Sequence, residues 1–228
     1  MTQTLKLTRD LVDRLPDRTD ARGPIVRPDP EPEYYQRISN AILRTLEPGE
    51  DLWVFAIGSL IWKPRCIVTG RRAALVKGWH RSFCLGPDTR YRGSPNAPGY
   101  MLSLEPGGEC RGVVLRLEAE TRETALPELL KTEPPYPPEW VEAETDQGTV
   151  RAIAFTVPKW EGFVLKEPPE PQLVEILASA VGHVGTMADY LLNTVTHLEE
   201  VGVHDPHLWR LQEQVAEKLA QLPPREPG

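Results

Sequence analysis

Cysteine is scarce in this 228-residue chain: there are three, Cys66, Cys84 and Cys110. They are odd in number, far apart and nowhere spaced as CxxC, so neither a disulfide framework nor a zinc site is indicated. A reducing, cytoplasmic setting is expected. Blocks of Lys or Arg are missing as well, and the net charge is −7, from 26 basic and 33 acidic residues. The electrostatic footprint that attracts nucleic acid or an anionic membrane is therefore lacking, and neither is an expected partner. No apolar run approaches a membrane span, and the opening MTQTLKLTRDLVDRL carries Asp and Arg where a secretion signal needs an unbroken apolar core. Two catalytic patterns are also absent. No GxSxG accompanies Ser59 and His80, which leaves a serine hydrolase as a weak reading. No HxxxH pair accompanies His183, His197, His204 and His207; they read as surface or packing groups, and no metal is assigned.

What is present is enough apolar residue, 40% of the chain, to core one compact unit. Residues 1–48 read as a proline-rich arm followed by a helix. PIVRPDPEPE cannot bury a core and is expected to lie extended on the surface, while YYQRISNAILRTL places Tyr35, Ile38, Ile42 and Leu46 at helical spacing before Pro48 and Gly49 stop it. Residues 49–228 read as the body. LWVFAI, AALVKGWHRSFCL, GYMLSL, CRGVVLRL, WVEAET and TVRAIAFTV alternate with Gly, Pro, Asn and Asp clusters, which predicts six short strands. A small six-stranded barrel flanked by helices follows, of the α+β class. PKWEGFVLKEPPEP, 158–171, reads as a loop. Two amphipathic helices then close the chain. Thr186 with Asp189 caps the first, whose stripe is Met187, Leu191, Val195 and Leu198; Asp205-Pro206 opens the second, with Leu208, Leu211, Val215, Leu219 and Leu222 on one face.

Two places carry candidate chemistry. In WVFAIGSLIW a buried strand breaks at Gly58-Ser59 and resumes, and a glycine just past a strand marks either a plain turn or a close approach of ligand or backbone. The second is a brief helix among the strands, with Thr124 as its cap, Pro127 in its first turn and Leu126, Leu129 and Leu130 on its apolar face. Glu133 follows at i+4 and i+3 from the last two, so its carboxylate falls on the buried stripe as Pro134-Pro135 breaks the helix. Two readings stand: a desolvated carboxylate with a raised pKa, suited to accept a proton, or a frayed end with Glu133 in water.

LWVFAIGSLIWKP resembles the strand-turn signature of the ChaC-like gamma-glutamylcyclotransferases, and the likeness continues in order. It runs through GWHRSFCL, RGSPNAPGYMLSLEPGGECRGVVLRL, ELLKTE ahead of Tyr136 and Trp140, GTVRAIAFTV and GTMADYLLNTVTHLEEVGVHD, across about residues 51–215. The resemblance implies a lyase acting on glutathione or a related gamma-glutamyl small molecule. The glutamyl amine attacks its own γ-carbonyl, releasing 5-oxoproline, with no metal or cofactor required. It places the essential general base at Glu133, and it suggests that backbone amides at Gly58, Ser59 and Leu60, beside Ile57, cradle the substrate. Arg92 either binds the distal carboxylate or solvates its loop; Tyr136 either lines the pocket or packs on Trp140. Two positions depart from the family's usual pattern: Ile57 stands in place of Tyr and Thr132 in place of Arg. They motivate a rival reading, a non-catalytic module that binds a gamma-glutamyl ligand. The leaving group and the oligomeric state are not legible in the sequence.

Overall fold

The computed structural model describes residues 4–24, 30–157 and 166–225. The chain begins with a single helical turn, α1 (Arg9–Val12), and a longer helix, α2 (Pro32–Leu43). Strand β1 (Leu52–Ala56) runs into a 3-10 turn, Ser59–Ile61, and is followed by two long strands, β2 (Gly70–Asp88) and β3 (Gly99–Leu117). Helix α3 (Arg122–Leu130) leads to the hairpin β4 (Glu139–Thr145) and β5 (Gly148–Ala154). Then come α4 (Glu170–Ser179), the two-residue strands β6 (Val181–Gly182) and β7 (Gly185–Thr186), α5 (Met187–Glu200) and α6 (Pro206–Ala220).

The α+β class holds, with one difference in strand count. The barrel closes with five strands in the order β1-β3-β2-β4-β5, sealed by parallel pairing of β5 with β1, rather than with six. GYMLSL and CRGVVLRL are two parts of one strand. The intervening Pro106-Gly107-Gly108 does not end it, because Gly107 and Gly108 adopt positive φ and form a bulge opposite Gly78, itself at φ +83°. A bulge bends a strand without unpairing it, so glycines that read as a turn instead let β2 and β3 curve around the barrel.

β1 pairs with β3 on one side and β5 on the other, and its Leu52, Val54, Phe55 and Ala56 are all buried. The apolar run therefore reads continuously, as expected for a strand covered on both faces. The arm is more structured than its composition suggests. Leu7, Val12 and Leu15 are buried, and the backbone amides of Lys6 and Leu7 both donate to Gln212 Oε1 on α6. The proline-rich PIVRPDPEPE and the predicted 158–171 loop fall in large part outside the described residues.

Several local assignments change. Helix α3 starts earlier than its apolar face indicated, with Thr121 at its N-cap; Thr124 lies inside it and spends its hydroxyl on the Thr121 carbonyl. Helix α4 begins on the last two residues of the predicted 158–171 loop and runs past it, burying Leu173, Val174, Leu177 and Ala178 at helical spacing. Helix α6 ends at Ala220, so Leu222 lies past it and is exposed. Both C-terminal caps form as the sequence indicates. Thr186 Oγ1 accepts from the Asp189 amide at 2.9 Å, and the Asp205 carboxylate accepts from the amides of His207 and Leu208. Thr186→Ala is accordingly expected to cost about 1 kcal/mol, read as an earlier midpoint in urea unfolding with an unchanged slope. Among the described residues no helix is long and apolar enough to cross a membrane.

Candidate active site

The break after β1 is a 3-10 turn. Its backbone hydrogen bonds are made by the amides of Ile61, Trp62 and Lys63, which donate to the carbonyls of Gly58 and Ser59. The amides of Gly58, Ser59 and Leu60 come before them and, as at any helix start, have no acceptor inside the turn. Ile57 and Leu60 are buried and belong to the apolar core, so what they offer a ligand is backbone rather than side chain. Arg81, buried on β2, fixes the turn from beneath. Its Nε donates to the Ile57 carbonyl at 2.9 Å, Nη2 donates to the Arg111 carbonyl at 2.7 Å, and Nη1 pairs with Asp205, the cap of α6.

Glu133 lies beyond the helix, not on it. Helix α3 stops at Leu130 and Glu133 sits in the following turn, its amide donating to the Leu130 carbonyl at 3.3 Å. The fraying is thus real, yet the carboxyl does not reach open water. Burial pushes it up to about 8, and among the described residues it has no hydrogen-bond or ion-pair partner. The residue keeps intermediate exposure. A carboxyl that is desolvated while its residue keeps some exposure is in a setting suited to proton transfer with a ligand. The Tyr34 hydroxyl on α2 holds the segment that follows by donating to the Pro135 carbonyl at 2.9 Å.

Tyr190, on α5, joins the two places. A Cβ built on Gly58 would lie 2.5 Å from its hydroxyl oxygen, and Leu102 Cβ is 3.7 Å from the same point. The phenol is buried, which pushes it up to about 12; the Glu133 carboxylate adds to the rise and the Leu102 backbone works against it. Gly58 therefore meets Tyr190, and the Glu133 charge acts on the same phenol. Nothing in the local sequence pattern marks Tyr190 as a site residue. Tyr190 follows the helix-capping Asp189 and lies three residues from Met187 on the apolar stripe, and a buried phenol on such a stripe requires a polar destination.

Arg92 lies against the same ring, its guanidinium carbon 5.4 Å from the Tyr190 centroid. Its Nη1 donates to the Thr186 carbonyl and to Asp189 Oδ2, each at 3.0 Å. Arg9 of α1 reaches Asp189 Oδ1 at 2.8 Å. Burial alone would raise the Asp189 carboxyl, but hydrogen bonds from Arg92 and Arg9 outweigh it and hold the group below the usual range. The guanidinium therefore does not solvate its loop: it is largely buried, and its Nη1 is committed to the start of α5. Tyr136 is half-buried beside Glu133, with its amide donating to the Pro134 carbonyl at 2.8 Å, while the Trp140 ring is covered by Arg151 at 3.8 Å. Thr132 is exposed and its hydroxyl donates to the Leu129 carbonyl, so this departure falls on the outer side of the helix end.

A cavity of about 890 Å³ opens elsewhere, lined by His80, Arg81, Glu167, Asp205, His207 and Arg210 among others, and neither Gly58 nor Glu133 borders it. Several of its charged groups are paired with one another or with neighbours: Arg81 with Asp205, His207 with Glu167, Arg210 with Glu170. Paired charges of this kind hold elements together. The unpaired carboxyl of Glu133 is the better mark of chemistry than volume.

The family model described as ChaC-like protein matches residues 52–218. The glutathione-specific gamma-glutamylcyclotransferase of Escherichia coli K12 is 36% identical over 178 residues, covering 75% of each chain. Gamma-glutamylcyclotransferase 2-3 of Arabidopsis thaliana is 31% identical over 182 residues, covering 75% of this chain and 91% of its own. The crystal structure of a yeast gamma-glutamyl cyclotransferase specific to glutathione superposes with a TM-score of 0.64 at 20% identity, over 73% of this chain and 96% of that one. That likeness bears on the fold.

Proposed function

The chain belongs to the family of ChaC-like proteins, and from that premise we propose that it is a gamma-glutamylcyclotransferase: a lyase that releases 5-oxoproline from glutathione or a close gamma-glutamyl compound. The observation that carries this reading is Glu133, an unpaired and desolvated carboxyl whose charge acts on Tyr190, the residue that meets the turn at Gly58. Glu133 in its carboxylate form takes a proton from the substrate ammonium. The freed lone pair attacks the γ-carbonyl carbon, and the π pair moves onto oxygen. Collapse expels the amide nitrogen, to which Glu133 returns its proton; the second proton left on the ring nitrogen passes to the released amine. Because the attack is intramolecular, holding the glutamyl chain curled supplies much of the rate, and Gly58, Ser59 and Leu60 offer amides to its carboxylate or to the oxyanion. Two protein-side conditions, a base and positioning, suffice for this chemistry. Three free cysteines, of which Cys84 and Cys110 are buried, suit the reducing cytoplasm in which glutathione is abundant.

Incubation with glutathione and detection of 5-oxoproline tests the reading; saturable binding without product would instead identify a ligand-binding module. The pH profile is a second check. With Glu133 at about 8 in the free protein, only about a tenth of molecules carry the base at pH 7. The ratio kcat/KM should therefore climb about tenfold per pH unit on the acid side and level off above 8. A bound ammonium favours the neighbouring carboxylate, so the corresponding limb in kcat should lie at lower pH. A flat profile from pH 6 to 9 would remove Glu133 from the base role.

A further inference from the structure

The Tyr190 hydroxyl has no role in the scheme above, yet the fold commits several elements to placing it. The ring is held edge-on by Trp62, with centroids 5.6 Å apart, and by Phe83 at 6.3 Å, while Arg92 lies across it at 5.4 Å. Arg92 is in turn held by Asp189 and the Thr186 carbonyl, and Trp62 is backed by the stacked His197 ring at 5.8 Å. These contacts fix a single orientation. In it the hydroxyl oxygen occupies the space that a side chain at Gly58 would need, at the opening of the amide-bearing turn and within the electrostatic reach of Glu133. The phenol stays protonated across the physiological range, because burial and the Glu133 carboxylate both oppose its ionisation. A group of this kind can donate a hydrogen bond but cannot compete with Glu133 as a base.

We propose that Tyr190 donates a hydrogen bond to the γ-carbonyl oxygen of the substrate as that oxygen becomes an oxyanion, across the site from Glu133. The role rests on the cyclotransferase reading. As the amine attacks, the π pair of the carbonyl collects on oxygen, and Tyr190 O–H meets the charge without transferring its proton. When the oxyanion collapses the hydrogen bond weakens and the hydroxyl is returned unchanged. Gly58 is glycine in this arrangement so that the phenol can reach the turn, which ties the break in β1 to a residue on α5.

The test compares wild type, Gly58→Ala, Tyr190→Phe and the double variant Gly58→Ala/Tyr190→Phe, using glutathione as substrate. Tyr190→Phe should lower kcat about 10²-fold, the usual worth of one oxyanion donor, with KM within about threefold and an unchanged far-UV spectrum and melting midpoint. In the double variant the hydroxyl that meets the new methyl is gone, so stability lost by Gly58→Ala alone should return while turnover does not. Normal turnover by Tyr190→Phe overturns the proposal, as does a rise in KM with kcat unchanged. If the Phe variant does not fold, 3,5-difluorotyrosine at position 190 keeps the ring and lowers the phenol pKa. With the wild-type phenol at about 12 no alkaline fall in kcat is expected below about pH 10, whereas the fluorinated phenol should bring one into that range, and a kcat that stays level overturns the role. A wild type that makes no 5-oxoproline defeats the activity reading itself. An active wild type with an equally active Phe variant defeats only the tyrosine.

Discussion

Glu133→Gln is expected to lower turnover of glutathione by about 10²–10⁴-fold while leaving substrate binding measurable, because the amide keeps the volume of the carboxyl and lacks its basic lone pair. The same substitution should change stability in a direction fixed by the carboxyl's surroundings. The ordinary value is 4.5, reached when the chain unfolds, and burial raises the folded value to about 8. Between these the unfolded chain holds fewer protons than the folded one, so wild-type stability falls as pH rises from 4.5 to 8. The Gln variant has no such slope. It should therefore match wild type near pH 4 and exceed it above pH 8 by on the order of a few kcal/mol, read from urea midpoints at several pH values. A less active but more stable variant separates a functional carboxylate from a structural one. Equal stability across the range would mean that Glu133 reaches water, and normal turnover would remove it from the chemistry.

Gly58→Ala should be damaging twice over. The sequence alone suggested that an added methyl would meet the substrate; the structure shows that it would first meet Tyr190, 2.5 Å from the hydroxyl oxygen. That oxygen is not the end of a flexible chain. The ring is set among Trp62, Phe83 and Arg92, so accommodation requires shifting β1, α5 or the ring itself. Overpacking of this kind costs about 1–3 kcal/mol, and displacing either the turn or the phenol should lower kcat/KM by more than tenfold. Thermal unfolding and initial rates on one preparation check both halves. A variant as stable as wild type would show that the ring moves freely.

Much of the molecule was legible in the sequence because it depends on local chemistry. The apolar β1 run, the Thr186 and Asp205 caps and the stripes of α5 and α6 are written in side-chain periodicity and in the hydrogen-bonding reach of short polar residues. Glu133 was legible as a carboxylate three and four residues beyond buried leucines. What the sequence could not decide were outcomes set by distant partners. Whether Pro106-Gly107-Gly108 is a turn or a bulge depends on Gly78 across the ladder, and so five strands form rather than six. Whether a frayed Glu133 is hydrated depends on the protein gathered around the turn beyond α3. The meeting of Gly58 with Tyr190 spans more than a hundred residues of chain, and Arg92 is drawn to Asp189 only once α5 is in place. Periodicity reports which face of an element is buried; only the closed barrel, with its helices packed on it, determines which polar atom lies opposite that face.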